Sequence, residues 1–363
     1  MKIGIDAKWY FDGPPSGRSV VVGLIDALMD QIEECGHEFC LVVYQRDVAR
    51  ASNLFGDRFE VIGVSGPGSN FISNAFFLSK EIDRHHLDLV LCQNYGSIQH
   101  ASKTVVYLHD ILFLDFPQYY SFFELIYYRP MVWLAKVARG VVTISNEEKN
   151  RIVQYGIQES DRVKVVYHGA REPTFNSLSS ASRDEKYVFY LGRLNARKNI
   201  KNLIAAFEYV DPEIVLVIGG SVDHKFFDVE SYVKEVGLVA RVRLLGFVAE
   251  VDIERLYANA LAFCFPSYAE GFGLPPLDAM AFGCPVIVSD ATCLPEICGD
   301  AALYCDPSDP KSIASQINSL GSNTALRKIM IERGRARVAR FTWATSARSL
   351  ISSLEDLGNE SYN

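Results

Sequence analysis

Two acidic side chains and a glycine-rich loop form the part of the sequence best suited to chemistry. They lie in the run FPSYAEGFGLPPLDAMAFGCPVIVS at 265–289, where Glu270 and Asp278 flank the loop 271–273. Glycine lets backbone N–H groups approach a ligand closely, and the two prolines that follow suit the first turn of a helix. A helix N-terminus binds anions, above all phosphate, while Asp278 could reach a neutral polyol such as a ribose. The alternative is an ordinary strand–loop–helix turn with a solvated glutamate and a capping acid.

A second group of charged side chains lies in GRLNARKN at 192–199, between a predicted strand and a predicted helix. It contains Arg193, Arg197 and Lys198. Ligands of doubly wound sheets bind at the carboxyl ends of the strands, the edge on which the loop 271–273 is also expected. Arginine offers a bidentate fork and lysine a compact charge, so such a group can balance a diphosphate. The alternative is a solvated basic turn.

Length and composition limit the classes of function. The chain has 363 residues, which predicts two domains. Its net charge of −8 argues against a nucleic-acid-binding surface. The eight cysteines include no Cys-x-x-Cys pair, so we expect buried free thiols in a reducing compartment rather than disulfides. The N-terminal MKIGID shows no signal-peptide core, and no long apolar run lacks charges. We therefore expect a cytoplasmic protein.

Strand and helix signals alternate along the chain, and the alternation occurs twice. Strand-like runs at MKIGID and at YVFYL each open a series of strands and helices, which predicts two parallel, helix-covered sheets of the doubly wound α/β class. The segment 171–186, rich in serine, proline and charge, is the predicted linker. The predicted domains are 1–172 and 173–340. The remaining 341–363 is expected to include a helix that crosses back to pack on the first domain.

Common metal-binding and dinucleotide motifs are absent from the sequence. No two aspartates stand two residues apart, as they do in the clamp that holds Mg²⁺ or Mn²⁺ on a diphosphate, and no His-Glu-x-x-His occurs. No Gly-x-Gly-x-x-Gly follows a strand, which weakens a nicotinamide-dinucleotide interpretation. We therefore expect neither a metal nor an organic cofactor. Cationic side chains and helix dipoles would then have to stabilise a leaving diphosphate.

The densest aromatic run is FLDFPQYYSFFELIYYRPMVWLAKVA at 113–138. Its interspersed charges exclude an ordinary membrane span. The run predicts either an amphipathic pair of core helices or a surface that touches the membrane or a lipid-linked acceptor. In the second case the protein would lie peripherally at the inner face of the membrane.

Taken together, these motifs resemble those of glycosyltransferase family 4, the retaining group-1 glycosyltransferases. The resemblance lies in GRLNARKN, VIGG, GFVAEVDIERLYANA, the run at 265–289 and LPEICGDAALYCDP, with further landmarks in LHD at 108–110, TISNEEKNRIVQYGI at 143–157 and FTW at 341–343. It extends over essentially the whole chain. It implies the GT-B fold, in which two Rossmann-like, doubly wound parallel-sheet domains face each other across a cleft. The first domain would be the acceptor side and the second would bind the nucleotide sugar.

The resemblance also implies roles for residues of the second domain. Arg193 and Lys198 match the pair that neutralises the leaving nucleoside diphosphate. Glu270 matches the first acid of the family's acid-x7-acid motif, beside the donor sugar and the reacting face. Asp278 stands where the family usually has a glutamate on the ribose hydroxyls, and its side chain is one methylene shorter. The family's backbone contacts to sugar and phosphate match Phe272, Gly273 and Leu274.

Other positions carry weaker expectations. Gly17, in the loop after the first strand, resembles a glycine that approaches the diphosphate, although the surrounding PPSGRS departs from the common pattern. His109 resembles a histidine near the sugar hydroxyls, with a structural histidine at a strand end as the alternative. Gly219 and its glycine neighbour close a strand, either as a tight turn or as a place where a nucleoside approaches the backbone. The base is expected to be read by backbone near Phe247 and Val248.

The activity implied by the resemblance is metal-independent transfer of a hexose, with retention, from a nucleoside-diphosphate sugar. The acceptor would be a saccharide or lipid-linked saccharide in surface polysaccharide synthesis, and the departing phosphate would help to deprotonate its hydroxyl. LPEICGDAALYCDP and LHD resemble bacterial mannosyl- and rhamnosyltransferases, so a GDP-mannose-like donor is the first expectation and a UDP-hexose the second. The alternatives are a GT-B sugar-nucleotide epimerase and a catalytically silent nucleotide-sugar-binding protein.

Overall fold

The computed structural model describes residues 1–32, 35–173, 186–221 and 228–359. It divides into two compact units, one made of Met1–Gly169 with Thr342–Asn363 and the other of Ala170–Phe341. Each unit is built on a parallel sheet. Most of the predicted linker, residues 174–185, lies outside the described residues.

The first unit has a seven-stranded sheet in the part of the chain that is described. Its strands are β1 (Lys2–Asp6), β2 (Glu38–Tyr44), β3 (Glu60–Val64), β4 (Leu89–Gln93), β5 (Thr104–Leu108), β6 (Gly140–Thr143) and β7 (Val163–Val165). They lie in the order β3-β2-β1-β4-β5-β6-β7, and each pairing is parallel. All five residues of both β4 and β5 are buried, as expected for central strands that helices cover on both faces.

Helices connect these strands. They are α1 (Lys8–Phe11), α2 (Pro15–Met29), α3 (Val48–Phe55), α4 (Asn70–Ile72), α5 (Leu78–Arg84), α6 (Leu112–Asp115), α7 (Phe122–Val137) and α8 (Asn146–Gln154). A π-helical turn at Ser73–Phe77 joins α4 to α5. A capping box fixes the start of α7, because Ser121 Oγ accepts the Glu124 N–H at 3.3 Å and the Glu124 carboxylate accepts the Ser121 N–H at 2.7 Å.

The second unit has a six-stranded parallel sheet among the described residues. Its strands are β8 (Lys186–Leu191), β9 (Ile214–Gly219), β10 (Val242–Gly246), β11 (Ala262–Phe265), β12 (Val286–Ser289) and β13 (Ala302–Cys305). Its helices are α9 (Ile200–Ala206), α10 (Val229–Glu235), α11 (Glu250–Asn259), α12 (Leu274–Ala281), α13 (Leu294–Cys298), α14 (Pro310–Ser322) and α15 (Thr324–Val338). All eight cysteines of the chain are free, and all but Cys35 are buried, as the sequence predicted.

The strand order of the second sheet brings two predicted site loops together. The order is β10-β9-β8-β11-β12-β13, so the direction of winding reverses between β8 and β11. In doubly wound sheets the loops that leave the strands at such a point form the ligand site. The loop 192–199 follows β8 and the loop 266–273 follows β11, and the two strands are paired neighbours.

The last helix, α16 (Trp343–Asn359), belongs to the first unit, where it packs against α2. Trp343 opens this helix and lies against two glycines. A Cβ atom on Gly23, within α2, would stand 2.3 Å from Trp343 Cε2. A Cβ atom on Gly169 would stand 2.4 Å from the backbone nitrogen of Trp343. Glycine at both positions therefore lets the backbone approach the start of α16.

We expect Gly23→Ala to lower the free energy of unfolding by about 1–3 kcal/mol, because the added methyl group overpacks the contact with Trp343. This loss exceeds the roughly 1 kcal/mol that alanine gains over glycine inside a helix. Urea unfolding measures the change. Gly334→Ala in α15 is the matched control, since its new Cβ would lie 3.2 Å from Cγ of the flexible Met280. A Gly23→Ala variant as stable as the wild type would contradict the packing described here.

Candidate active site

The two loops at the winding reversal of the second sheet meet through a buried carboxylate. Glu270 is only 6% exposed. Its Oε1 lies 2.7 Å from Lys198 Nζ and its Oε2 lies 3.1 Å from Arg197 Nη1. The Lys198 ammonium also lies 4.6 Å from the centre of the Phe265 ring, and Arg197 donates to the Ala269 carbonyl. Two cations from one loop therefore hold one anion from the other.

The charge state of Glu270 follows from these contacts. Burial alone would raise its pKa, but the charges of Lys198 and Arg197 outweigh burial and lower the pKa to about 2. The carboxyl group is thus ionised at neutral pH. It is also a weak base, and both of its oxygens are engaged by cations.

The cationic loop owes its shape to two asparagines. Asn195 Oδ1 accepts the Lys198 N–H at 3.1 Å. Asn199 adopts the left-handed conformation, with φ 59°, which asparagine tolerates better than most side chains. Its buried Nδ2 donates to the carbonyls of Pro266 at 2.8 Å and Pro307 at 2.6 Å. The side chain of Asn199 therefore fixes the loop to the carboxyl end of β11.

The loop after β11 ends in the predicted anion-binding turn. Gly273 has φ 107°, and a Cβ there would stand 2.8 Å from Leu294 Cδ2, so glycine is required both by conformation and by space. Gly273 is the N-cap of α12, and Leu274 is its first residue. In the described part of the chain, the N–H groups of Gly273 and Leu274 donate to no acceptor. These are the donors that a helix N-terminus offers to a phosphate.

Phe272 contributes backbone rather than side chain to this turn. Its ring is buried, and it meets the Phe341 ring edge-on at 6.1 Å. The buried ring anchors the turn from below. The role of positions 272–274 through their backbone stays a prediction.

Glycines also bring the neighbouring loops of the sheet edge together. Gly220, with φ 133°, lies so close to Gly192 that a Cβ would stand 1.9 Å from the Gly192 carbonyl oxygen. Gly219 instead packs against the Val248 side chain, because a Cβ atom added at Gly219 would stand 2.7 Å from Val248 Cγ2. Gly220 is therefore the position at which two backbones touch, and Gly219 lies beneath a side chain. Phe247, next along the edge, is 88% exposed.

His109 occupies the corresponding edge of the first sheet, after β5. Its Nε2 lies 2.8 Å from Gln93 Oε1, which accepts, so Nε2 carries the proton and Nδ1 keeps its lone pair. The ring stacks on Tyr107 at 4.8 Å. Burial lowers the pKa of His109 to about 4, so the imidazole is neutral at neutral pH.

Two sequence profiles match this chain over most of its length. The profile described as "Glycosyl transferases group 1" matches residues 174–337, and the one described as "Glycosyltransferase Family 4" matches residues 21–171.

The chain belongs to the group 1, family 4 glycosyltransferases.

Individual proteins agree with this assignment. The chain is 28% identical over 266 residues to O-antigen chain mannosyltransferase B of Escherichia coli, covering 69% of each sequence. Its fold is similar to that of sucrose-phosphate synthase from Thermosynechococcus elongatus, with a TM-score of 0.76, 19% identity, and 96% and 97% of the two chains covered. Anabaena HepE in complex with UDP and glucose gives a TM-score of 0.71 at 23% identity, with coverage of 98% and 99%. The fold is GT-B, as expected.

Of the predicted pair of phosphate-binding cations, Lys198 contacts Glu270 in this glycosyltransferase and Arg193 does not. Lys198 reaches Glu270, but the partner beside it is Arg197, which the sequence placed in the cationic loop and to which the resemblance assigned no individual role. Arg193 is exposed, and in the part of the chain described it makes no ion pair. Arg197 directly precedes Lys198 in a short 3₁₀ turn, Ala196–Lys198. The one sequence signal for the contact between Arg197 and Glu270 is the position of this turn directly after β8.

Asp278, expected on the ribose, has a protein partner. Its Oδ1 accepts the Arg171 N–H at 2.9 Å, and its Oδ2 lies 3.3 Å from Arg171 Nε. Burial raises the pKa of Asp278 to about 6, and Arg171 offsets this only in part. Arg171 Nη1 also reaches Glu250 Oε1 at 2.6 Å. The ribose contact stays a prediction, and a ribose would share Asp278 with Arg171.

The prediction that Gly17 lies in a loop was wrong. Gly17 lies in the first turn of α2, because Pro15 starts that helix directly after the extended Pro14. A Cβ at Gly17 would stand 2.7 Å from Trp9 Cε3. The Trp9 ring therefore occupies the space beside Gly17. The centre of this ring also lies 5.3 Å from the centre of the His109 ring.

Two buried charge clusters of the first unit had no role in the sequence-based account. Asp6 and Lys8, both fully buried, form an ion pair at 2.8 Å at the end of β1. In the second cluster, Arg151 joins Glu148 to Asp115, with a 2.5 Å contact to the latter. The Glu148 carboxylate also accepts the Ile111 N–H at 3.1 Å, which holds the segment that follows His109 against α8.

Glu270 should stabilise the folded protein by an amount that depends on pH. We expect Glu270→Gln to lower the free energy of unfolding by about 2–4 kcal/mol near neutral pH, because two largely buried cations lose their counter-charge. The pKa of Glu270 lies at about 2 rather than 4.5. Its stabilising contribution is therefore complete above pH 4.5 and is lost as the pH falls towards 2.

Urea unfolding of both proteins from neutral to acidic pH tests this prediction. The difference between variant and wild type should be constant above pH 4.5 and should narrow below it. Glu208→Gln, at an exposed glutamate, is the matched control and should behave like the wild type. A difference that is the same at all pH values would show that Glu270 is not ionised as described.

Proposed function

We propose that this glycosyltransferase moves a hexose, with retention at the anomeric carbon and without a metal, from a nucleoside-diphosphate sugar to a saccharide or lipid-linked saccharide acceptor in surface polysaccharide synthesis. The observation that carries the proposal is the arrangement at Glu270. Lys198 and Arg197 are fixed there by the ionised carboxylate of Glu270. The loop that carries Glu270 ends at Gly273 and Leu274, whose N–H groups donate to no acceptor among the described residues. Such a site is preorganised for the charge of a departing diphosphate.

Each donor group has a part in this proposal. Lys198 donates to Glu270, which fixes its compact charge at the carboxyl edge of the sheet, where we assign it to a phosphate oxygen of the donor. Arg193, exposed and without an ion pair in the described chain, supplies a second cation with a free bidentate fork. The N–H groups at the start of α12 supply neutral donors aligned with the helix dipole. Together these groups are proposed to stabilise the charge that develops on the leaving group.

The proposal of retention comes from the family resemblance, and the buried carboxylate of the site fits a route without a protein nucleophile or base. Glu270 has a pKa of about 2 and both oxygens on cations, so it is a poor nucleophile and a poor base. We assign it to orienting Lys198 and the donor sugar. The departing phosphate, held on the same face of the sugar, would accept the acceptor's proton as the new bond forms, so the acceptor enters from the side that the diphosphate leaves.

The donor is proposed from the relatives. The Escherichia coli relative is an O-antigen chain mannosyltransferase, which favours a GDP-mannose-like donor, and HepE is described with UDP and glucose, which keeps a UDP-hexose second. The exposed Phe247, next in sequence to the Val248 side chain that packs over Gly219, is proposed to border the base. Incubation with each nucleotide sugar, followed by measurement of released nucleoside diphosphate and of free sugar, distinguishes the donors.

The same incubation tests the alternatives. Slow release of free sugar and nucleoside diphosphate supports a transferase. A changed sugar on an intact nucleotide supports the epimerase alternative instead. Binding without turnover, even with lipid-linked acceptors supplied in a membrane extract, supports a catalytically silent protein, an alternative that the occupation of Asp278 by Arg171 keeps open.

We expect Lys198→Ala and Arg193→Ala each to lower kcat/KM by about 30- to 1,000-fold, equivalent to about 2–4 kcal/mol of lost transition-state stabilisation. Lys201→Ala is the matched control, because Lys201 is an exposed lysine one helical turn further along, placed over the Tyr232 ring. Initial rates with saturating acceptor measure the effect. Wild-type-like transfer by both variants would remove these cations from the mechanism.

Metal independence is tested separately. The two carboxylates of the site are engaged by cations, Glu270 by Lys198 and Arg197 and Asp278 by Arg171, and a divalent ion on the diphosphate would need free carboxylate oxygens. We expect unchanged initial rates after removal of divalent ions with EDTA and no gain from added Mg²⁺ or Mn²⁺. Loss of activity that Mn²⁺ restores would overturn metal independence and leave the transferase assignment intact.

A further inference from the structure

Helix α7 presents an unusual stripe of exposed side chains. Phe122, Ile126, Arg129, Trp133 and Lys136 follow one another at steps of four, three, four and three residues, so they line one face of the helix. All five are exposed, Phe122 by 71% and Trp133 by 50%. None of them contributes to the candidate active site.

The apolar part of this face is broad. Phe123, 81% exposed, and Tyr127, 46% exposed, lie beside the stripe on the first two turns of α7. Solitary exposed apolar residues are common, but a contiguous group of large apolar side chains on one element marks an interaction surface. We call the set Phe122, Phe123, Ile126 and Tyr127 the apolar tip.

The surface is held in a fixed position. The opposite face of α7, including Met131, Leu134 and Ala135, is buried in the core of the first unit. The capping box of Ser121 fixes the first turn. Tyr95, itself buried, donates its hydroxyl to the Tyr127 carbonyl at 3.1 Å. The apolar tip is therefore exposed on a rigid element rather than on a loop that could fold it away.

The charges of α7 indicate which kind of partner binds this face of the helix. Arg129 and Lys136 make no ion pair in the described residues, and the acid of the helix, Glu124, accepts hydrogen bonds from Ser121 at the first turn. The chain as a whole carries a net charge of −8, so this face is cationic on an acidic protein. A second copy of the chain would bring the same cations together across a twofold axis. Anionic lipid head groups would neutralise them.

We propose that α7 docks this glycosyltransferase on the surface of an anionic lipid bilayer. The helix lies in the plane of the interface, with the apolar tip in the boundary between head groups and acyl chains and with Arg129 and Lys136 at the lipid phosphates. Within the described residues, no helix is both long and apolar enough to cross a bilayer. Docking adds a location to the proposed function and does not depend on it.

Co-sedimentation of the whole chain with lipid vesicles, without donor or acceptor, tests this surface. We expect binding to vesicles of phosphatidylcholine with phosphatidylglycerol, weaker binding to phosphatidylcholine alone, and loss with rising salt. The variants Phe122→Ser/Phe123→Ser/Ile126→Ser and Arg129→Gln/Lys136→Gln should each lower the partition coefficient by about tenfold or more. Circular dichroism and thermal unfolding verify that the variants fold.

The matched control is Leu54→Ser/Val239→Ser, which removes two apolar side chains, 57% and 61% exposed, that do not belong to α7. It should bind as the wild type does. Fluorescence of Trp133 should shift to shorter wavelength on the anionic vesicles, and Trp133→Phe should abolish that shift.

Three results would overturn docking. They are absence of vesicle binding, equal binding to neutral and anionic vesicles, and self-association that the triple variant abolishes. Because no sugar nucleotide is present, none of these results bears on the transferase assignment.

Discussion

The ion pairs of Glu270 with Lys198 and Arg197 are the interaction on which the candidate site depends. A carboxyl group that is only 6% exposed would favour its neutral form without them, because burial disfavours charge. With them it stays ionised, and it holds both cations at the carboxyl edge of the sheet, where α12 begins. Under the proposed function, this positive field is assembled before a nucleoside diphosphate arrives, which is the condition under which electrostatic stabilisation is most effective.

This arrangement is possible because the surrounding backbone tolerates unusual conformations and close approach. Gly220 touches Gly192, Gly273 turns into α12 at positive φ, and the left-handed Asn199 binds the carbonyls of Pro266 and Pro307. Each of these positions has little room or a restricted conformation, so few other residues could replace it. The site is therefore a property of the loops that leave β8 and β11, and the regular parallel sheet serves to set those loops side by side.

Much of this could be predicted from residue order alone. Alternating apolar strands and helices indicate parallel sheets, and the carboxyl ends of such strands share one edge, so Lys198 and Glu270 were expected near each other. The contact of Arg197 depends on the direction of one side chain in a short turn, which no periodicity encodes. The pairing of Arg171 with Asp278 joins residues far apart in the chain, and the helical position of Gly17 depends on where α2 begins. Long-range pairs and element ends are the features that local pattern leaves open.

A double-mutant cycle on the transfer reaction tests most directly whether Glu270 acts through Lys198. The measurement is kcat/KM for the wild type, Lys198→Ala, Glu270→Gln and the double variant, with one donor and one acceptor. If the carboxylate orders the lysine, the double variant should be little worse than Lys198→Ala, with a coupling energy of at least about 1 kcal/mol. Losses that simply add would contradict this account, because the two side chains would then act on the substrate independently.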